Sequence, residues 1–300
     1  MAGATERRII FAGGAHVDWL GQFSHPAQRG LSVPGRWSRF GGGAAFNTAC
    51  HVAALTDPGR SCVTLHSVCG GDEAGHWLGQ LCAQRGVNGL LQQVHEGQTA
   101  SYTAMVNPDG ELVQALADMK IYARFDGHAV TSSTEDWLVV DANLPAPAIS
   151  TILRQPALKR IGLTVSKAKA ARLATVLDEL DLLFTNASEL AALLSASGKR
   201  CVSDLGVAQV VVSSGSESVE VWSDGVKAIV TPPPLAKEDI VSVIGAGDGL
   251  AGGTLVALMG GGKLEEAVQE GIRVAQDVLR CAGPWPDTAS KGPTDSGTAP

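Results

Sequence analysis

The sequence predicts an α/β fold, a doubly wound and mainly parallel sheet flanked by helices with a small β lid, and three observations carry that expectation. From residue 135 on, apolar β-type runs alternate with helical ones: DWLVVDAN, PAPAISTILRQ, RIGLTVS, KAARLATVLDEL, DLLFTN and SELAALLS. That rhythm belongs to parallel strands joined by crossover helices. Two further β-type runs, Thr99–Val106 and Glu111–Ala117, flank the turn signal Asn107-Pro108-Asp109-Gly110 and predict a hairpin set into the alternating pattern. Near the end of the chain the apolar run Ile240–Ile244 breaks at Gly245-Ala246-Gly247, and Asp248 opens a helix through Leu255, Val256 and Leu258.

This last turn organises the functional reading. Small residues let the backbone approach a ligand closely, and the free N–H groups of a first helical turn, at the positive end of the macrodipole, attract an anion. Gly245, Ala246 and Gly247 would cradle a phosphate, with Asp248 beside it as a carboxylate able to take a proton from an attacking hydroxyl. Taken alone, an Asp capping a helix after an ordinary glycine turn explains the same residues.

Composition sets bounds. A chain of 300 residues, 45% hydrophobic, forms one large α/β domain or two small ones. A net charge of −7 with no basic run argues against nucleic acid or an anionic membrane as partner. The six cysteines, at 50, 62, 69, 82, 201 and 281, form no C-x-x-C pair and fit reduced thiols. The opening MAGATERRII lacks the pattern of a signal peptide, and the apolar run at 249–262 is too short and glycine-rich to span a bilayer, so a cytoplasmic protein is expected. P-loop, H-E-x-x-H and G-x-S-x-G patterns do not occur, and the dinucleotide fingerprint is missing from the first βα turn, which sets aside the enzyme classes built on them.

In chain order, Arg8–Val17 reads as a first buried strand ending at Asp18. A carboxylate just past such a strand is placed to accept hydrogen bonds from substrate hydroxyls, although a turn Asp is the simpler reading. Residues 19–40 have no helical period and suit one half of a lid. Gly41–Gly43 then lead into AAFNTACHVAAL, whose apolar stripe predicts a helix. Gly42 and Gly43 permit close approach there, and Asn47 offers both donor and acceptor. Cys62–Val68 is a strand, and a helix runs from the Gly70–Gly75 segment to about Arg85. Asp141 and Asn143 end a strand, and Lys169 reads as a helix-surface lysine. Asn186 and Glu189 open a helix, with a carboxylate where the dipole favours one. Val210–Ser214 runs into Gly215, the strands SVEVWS and VKAIVTPPP follow, and Leu264–Cys281 is a last amphipathic helix. The polar, Pro/Gly/Ser-rich stretch 283–300 is expected to be disordered beyond a domain at 1–282.

Two motifs, Gly42-Gly43-Ala44-Ala45-Phe46-Asn47-Thr48-Ala49 and Gly245-Ala246-Gly247-Asp248, lie about 200 residues apart. Together they resemble the paired signatures G-G-x-A-x-N-x-A and D-T-x-G-A-G-D of the ribokinase-like (PfkB-type) carbohydrate and nucleoside kinases, over the chain to about Cys281. The resemblance implies transfer of the ATP γ-phosphoryl to a primary hydroxyl of a nucleoside or sugar, with Asp248 as base and Gly245–Gly247 as anion hole. It implies substrate contacts from Asp18, Gly42, Gly43 and Asn47, and from Thr99 and Tyr102 of the lid. Contacts to ATP fall to Asn186, Gly215 and Gly247, and Glu189 helps to hold Mg2+ through water. Lid segments at about 19–41 and 95–122 would cover the substrate, and many family members dimerise through them, so a homodimer is implied. TASYTAMVNPDGELVQALADMKIY resembles the pseudouridine kinases of the family more than its ribokinases or fructokinases, and Lys169 matches a lysine common in them. Another nucleoside or sugar, or a catalytically inactive relative, stays open beside pseudouridine. Ser242-Val243-Ile244 replaces the family's D-T-x, which removes a side chain tied to a monovalent-cation site and leaves a need for K+ open. Ser218 likewise replaces a usual glycine beside the nucleotide base.

Overall fold

A computed structural model describes residues 7–57 and 61–286. The chain runs β1 (Arg7–Ala12), β2 (His16–Phe23), β3 (Gly35–Gly42), α1 (Ala44–Leu55), β4 (Ser61–Gly70), α2 (Glu73–Gln84), β5 (Asn88–Val94), β6 (Ser101–Val106) and β7 (Leu112–Asp118). It continues through β8 (Trp137–Asp141), α3 (Ala146–Leu153), β9 (Lys159–Leu163), α4 (Lys167–Ala170), β10 (Leu182–Asn186), α5 (Ala187–Ser197), β11 (Gln209–Ser213), β12 (Val219–Ser223), β13 (Val226–Val230), α6 (Ala246–Met259) and α7 (Leu264–Leu279).

Unbroken apolar runs such as WLVV at 137–140 form strands buried on both faces, as a parallel sheet covered by helices requires. Alternate residues of β1 show the two layers: Ile9 and Phe11 join Phe46, Leu255 and Val268 on one side, and Ile10 and Ala12 join Leu138, Ile149 and Leu193 on the other. The sheet has nine strands in the order β13-β12-β11-β10-β9-β8-β1-β4-β5. Pairings from β5 across to β11 are parallel, and the β12–β13 hairpin adds an antiparallel edge. Since β1 pairs with β4 on one side and β8 on the other, the strand order reverses beside β1. A crevice opens at the carboxyl ends of strands at such a point, and ligands gather there. A second sheet of four strands, β3-β2-β6-β7, stands apart as the lid.

Several expectations need correction. The run Arg8–Val17 is two strands rather than one: at Gly13–Ala15 the chain leaves the core sheet, held by the Gly14 N–H donated to the buried Asp141 carboxylate (2.9 Å), and enters the lid. Asp18 therefore belongs to the lid strand β2 instead of following β1. Ile240–Ile244, an apolar run that reads as strand or loop, is loop. It follows Pro232-Pro233-Pro234, which have no N–H to pair, and it crosses the end of α7 with Val241 N bonded to Leu279 O at 2.8 Å. The helix expected over KAARLATVLDEL is the single turn α4 followed by 3-10 turns at 171–173 and 177–179. Leu173, Val176, Leu177 and Leu180 are still buried at helical spacing, but Lys169 and Arg172 tether the segment to the end of β8 through Asn143 (2.7 and 2.6 Å). β5, half-exposed at the sheet edge and short of aliphatic residues, went unanticipated. The supposedly disordered stretch begins with ordered structure: Trp285 is buried with its ring 5.7 Å from Phe46, edge to face, while residues 287–300 lie outside the described residues. Among the described residues all six cysteines are free, and no helix is long and apolar enough to cross a membrane.

Candidate active site

The cleft is built from the turn after β1 and the helix start after β3. Asp141, at the end of β8 and fully buried, gathers four donors: Gly14 N and Ala45 N on Oδ2 (both 2.9 Å), Asn143 N on Oδ1 (2.8 Å) and Asn143 Nδ2 on Oδ2 (3.1 Å). This one carboxylate therefore pins β1, α1 and β8 to each other. Lys169, far from being a surface lysine, is half-buried and donates to Asn143 Oδ1 at 2.7 Å. Its pKa is lowered by burial, against the opposing pull of Asp141.

Gly43 precedes α1 at φ 107°, where a side chain would be strained and would strike the Gly14 carbonyl. The α1 helix then carries Asn47 and Thr48 into a cavity of about 350 Å3. Across this cavity α6 begins at Ala246, behind Gly245 at φ 81°, with no side chain capping its N-terminus. It shares this with α1, α3, α4 and α7, whereas α2 and α5 are capped by Asp72 and Asn186. An uncapped helix start at the wall of a cavity presents free N–H groups to whatever anion enters. Asp248, in the first turn of α6, accepts from Asn47 Nδ2 at 2.9 Å. Burial pushes its pKa up to about 7, and the nearby Asp141, Asp18 and Glu189 add to the rise while the Asn47 hydrogen bond opposes it. A carboxylate so tuned exchanges a proton near neutrality, as a general base must.

The lid supplies the opposite wall. Asp18 faces the cavity from β2, and Gly42 leaves room for its carboxylate, since a Cβ there would collide with it. His16, two residues earlier on the same strand face, also lines the cavity, with Nε2 3.2 Å from Asp18 Oδ1 and Nδ1 2.9 Å from the Tyr122 hydroxyl. Residue reasoning passed over His16 as one member of an apolar run, although the H-x-D alternation after two glycines was the available signal. Three oxygens of the cavity lining, Asp18 Oδ1, Asn47 Oδ1 and Thr48 Oγ1, are buried with no hydrogen-bond partner. The His16–Asp18 approach is thus one of proximity, without hydrogen-bond alignment.

At the far end, Asn186 and Glu189 form a reciprocal capping box on α5. Thr164 Oγ1 also donates a short hydrogen bond to Glu189 Oε2. Both residues line the cavity. The cavity lining thus brings together Asp18, Gly43, Asn47, Asn186, Glu189, Gly245, Gly247 and Asp248. Gly42 and Ala246 stand immediately beside it in the chain. Tyr102 pairs with Asp18 across the lid sheet and leaves it on the same face, but is not among the residues lining the cavity. Thr99 instead binds Asp72 through N (2.8 Å) and Oγ1 (2.5 Å), and Gly215 lies in the β11–β12 turn outside the lining.

The chain belongs to the pfkB family of carbohydrate kinases, whose model matches residues 21–289. It is 25% identical over 289 residues to a cytidine kinase of Thermococcus kodakarensis, covering 92% of this chain and 98% of that one. It is equally 25% identical over 289 residues to the pseudouridine kinase of Escherichia coli, covering 91% and 90%. A carbohydrate kinase structure from Agrobacterium tumefaciens superposes with a TM-score of 0.75 at 30% identity, over 92% of this chain and 91% of that one. The fold is ribokinase-like and the activity is that of a nucleoside or sugar kinase.

Proposed function

We propose that this kinase transfers the γ-phosphoryl of ATP to the 5′-hydroxyl of a nucleoside, pseudouridine before others. The observation that carries the reading is the set of unpartnered buried oxygens on Asp18, Asn47 and Thr48, grouped beside Asp248. Buried polar atoms find partners, and vicinal ribose hydroxyls supply the donors these three lack. With the sugar held so, Asp248 accepts the proton of the primary hydroxyl as its oxygen bonds to the γ-phosphorus and the bond to the bridging oxygen of ADP breaks. The N–H groups at the start of α6, those of Gly245 and Gly247 and that of Ala246, which is weakly held by Val243 O (3.4 Å), take up the charge that develops on the transferring group. Gly42 and Gly43 admit the sugar, Tyr102 stands over it from the lid, and Asn186 lies on the ATP side. Thr99 acts on the lid through its hold on Asp72.

Glu189 is the carboxylate assigned to Mg2+ in this reading. One of its oxygens is committed to Thr164 and the Asn186 backbone, which leaves a single oxygen, and magnesium bound chiefly by phosphates and water needs little more. The ion would neutralise phosphate charge. A dependence on K+ is not part of the proposal, because Ser242-Val243-Ile244 offers no carboxylate. Exposed Leu112, Val113, Leu116 and Trp37 on the lid support a homodimer formed there.

Pseudouridine is favoured by the wording of the 99–122 segment, and the cytidine kinase similarity keeps another nucleoside as the second reading. ADP release with Mg-ATP, measured against pseudouridine, uridine, cytidine, adenosine, ribose and fructose, separates them. Pseudouridine turned over about tenfold above uridine and cytidine supports the proposal. Preference for another compound removes the base assignment and keeps the kinase. Silence in a folded sample that still binds ATP points to an inactive relative.

A further inference from the structure

A second cavity of about 510 Å3 lies behind the catalytic cleft, between the lid strand β3, helix α2 and the segment that follows α7. Its size is that of a small-molecule site, for which about 300–1,000 Å3 is usual. Arg39, Arg85 and Arg280 line it and no carboxylate does, in a chain of net charge −7. Glu73 and Asp277 pair with Arg39 (2.9 Å) and Arg280 (3.4 Å) from outside the lining. Two of the guanidinium groups stack on rings of the same cavity, Arg39 at 4.2 Å from the Trp77 centroid and Arg85 at 4.8 Å from that of Trp285. Trp285, itself 8% exposed, has an indole N–H with no acceptor.

We propose that this cavity binds a nucleoside monophosphate as an effector of the kinase. Arg39 covers a face of Trp77 and Arg85 one of Trp285, so a nucleobase would stack on a guanidinium plane from the cavity side. Arg39 and Arg280 would take the phosphate through hydrogen bonds, while Arg85 also donates to Pro286 O (3.4 Å). The unpartnered indole N–H adds a donor that a ligand oxygen can satisfy. Neither half of the ligand alone uses the whole site.

Binding here reaches the catalytic cleft through Pro284, which lines the cavity and packs against Gly245: a Cβ built on that glycine would lie 2.6 Å from the Pro284 Cα. The Pro284 carbonyl is held by His51 Nε2 at 3.0 Å, and the neighbouring Trp285 rests on Phe46, the residue before Asn47. A ligand that shifts this segment moves the start of α6, where the transferring phosphate is cradled.

The test is calorimetric titration of the full chain with uridine 5′-monophosphate, with uridine and inorganic phosphate as separate probes. The double variant Arg39→Ala, Arg280→Ala should weaken uridine 5′-monophosphate about tenfold or more while Asn47→Ala in the cleft changes it less than about twofold. Uridine and phosphate should each bind about tenfold more weakly than the monophosphate. If the double variant does not fold by its thermal transition, Arg280→Glu alone, at an exposed position, takes its place. In wild type the monophosphate should also change the KM for ATP, and in the variant it should not. Affinity that follows Asn47→Ala instead of the arginines places the ligand in the catalytic cleft and overturns the proposal. So does phosphate binding as tightly as the monophosphate, an unchanged KM for ATP, or no heat up to about 10 mM.

Discussion

Asn47 on α1 donates its side-chain amide to Asp248 on α6 at 2.9 Å, a contact between residues 201 positions apart that joins the two signature motifs. The bond favours the ionised carboxylate and so opposes the burial that pushes Asp248 up to about 7. Asn47→Ala removes it. The acid limb of the kcat/KM profile should therefore move to higher pH, by about half a unit to one unit. A profile that keeps its midpoint while activity falls would leave Asn47 as a substrate contact alone.

Asp248→Asn should lower kcat about 10²-fold to 10⁴-fold, because the amide keeps the Asn47 hydrogen bond but cannot take a proton. In wild type kcat/KM should rise as pH rises through about 7, where Asp248 ionises. The same shift predicts an opposite trend in stability. The folded carboxyl binds its proton more tightly than the unfolded one, so stability falls as pH rises from the ordinary value of 3.8 through about 7. The variant lacks this loss and should be more stable than wild type at pH 8 by about 1–2 kcal/mol, a figure reduced because the cleft admits water. Thermal unfolding at pH 5 and pH 8 checks it; equal pH dependence in both proteins contradicts it.

Much of this site was legible because its chemistry is local. Gly245-Ala246-Gly247-Asp248 reads as a phosphate turn, and Gly42-Gly43 before Asn47 as a close approach, from a few consecutive residues. The core strands were equally plain, since burial on both faces leaves unbroken aliphatic runs. What escaped depends on distant partners. His16 sits in an apolar run that looks continuous, and only the Asp141 hydrogen bonds to Gly14 and Ala45 show where that run changes sheets. Lys169 resembles a solvated helix lysine until Asn143, 26 positions away, is brought to it. Trp285 stands in a Pro- and Gly-rich stretch whose composition speaks for disorder, yet one indole packed on Phe46 and under Arg85 orders the segment around it.

Asp141→Asn tests the hub of the cleft separately from its chemistry. The Asp141 carboxylate accepts from two backbone N–H groups on Oδ2 and one on Oδ1 while fully buried. An amide has one accepting oxygen, so its NH2 group must face an N–H donor. Leaving a buried N–H donor without its acceptor in this way costs about 1–3 kcal/mol. Urea unfolding should show a loss of that size, with activity falling in proportion to the folded fraction. A variant of normal stability and low kcat would instead make Asp141 part of the chemistry.

His51 makes the fold sensitive to acid. Burial lowers its pKa to about 4, with the Arg85 charge adding to the effect and the bond to Pro284 O opposing it. A carbonyl only accepts, so the neutral ring donates from Nε2. Between about 4 and the ordinary value of 6.5 the unfolded imidazole binds a proton that the folded one refuses. The stability that depends on neutral His51 is thus complete above 6.5 and is lost as pH falls toward 4, by about 2–3 kcal/mol. His51→Gln keeps a donor for the Pro284 carbonyl and has nothing to titrate. Denaturant unfolding at pH 7.5, 6, 5 and 4.5 should show a smaller acid loss in the variant than in wild type. Parallel curves would assign the acid sensitivity to other groups and leave His51 as a packing contact behind the start of α6.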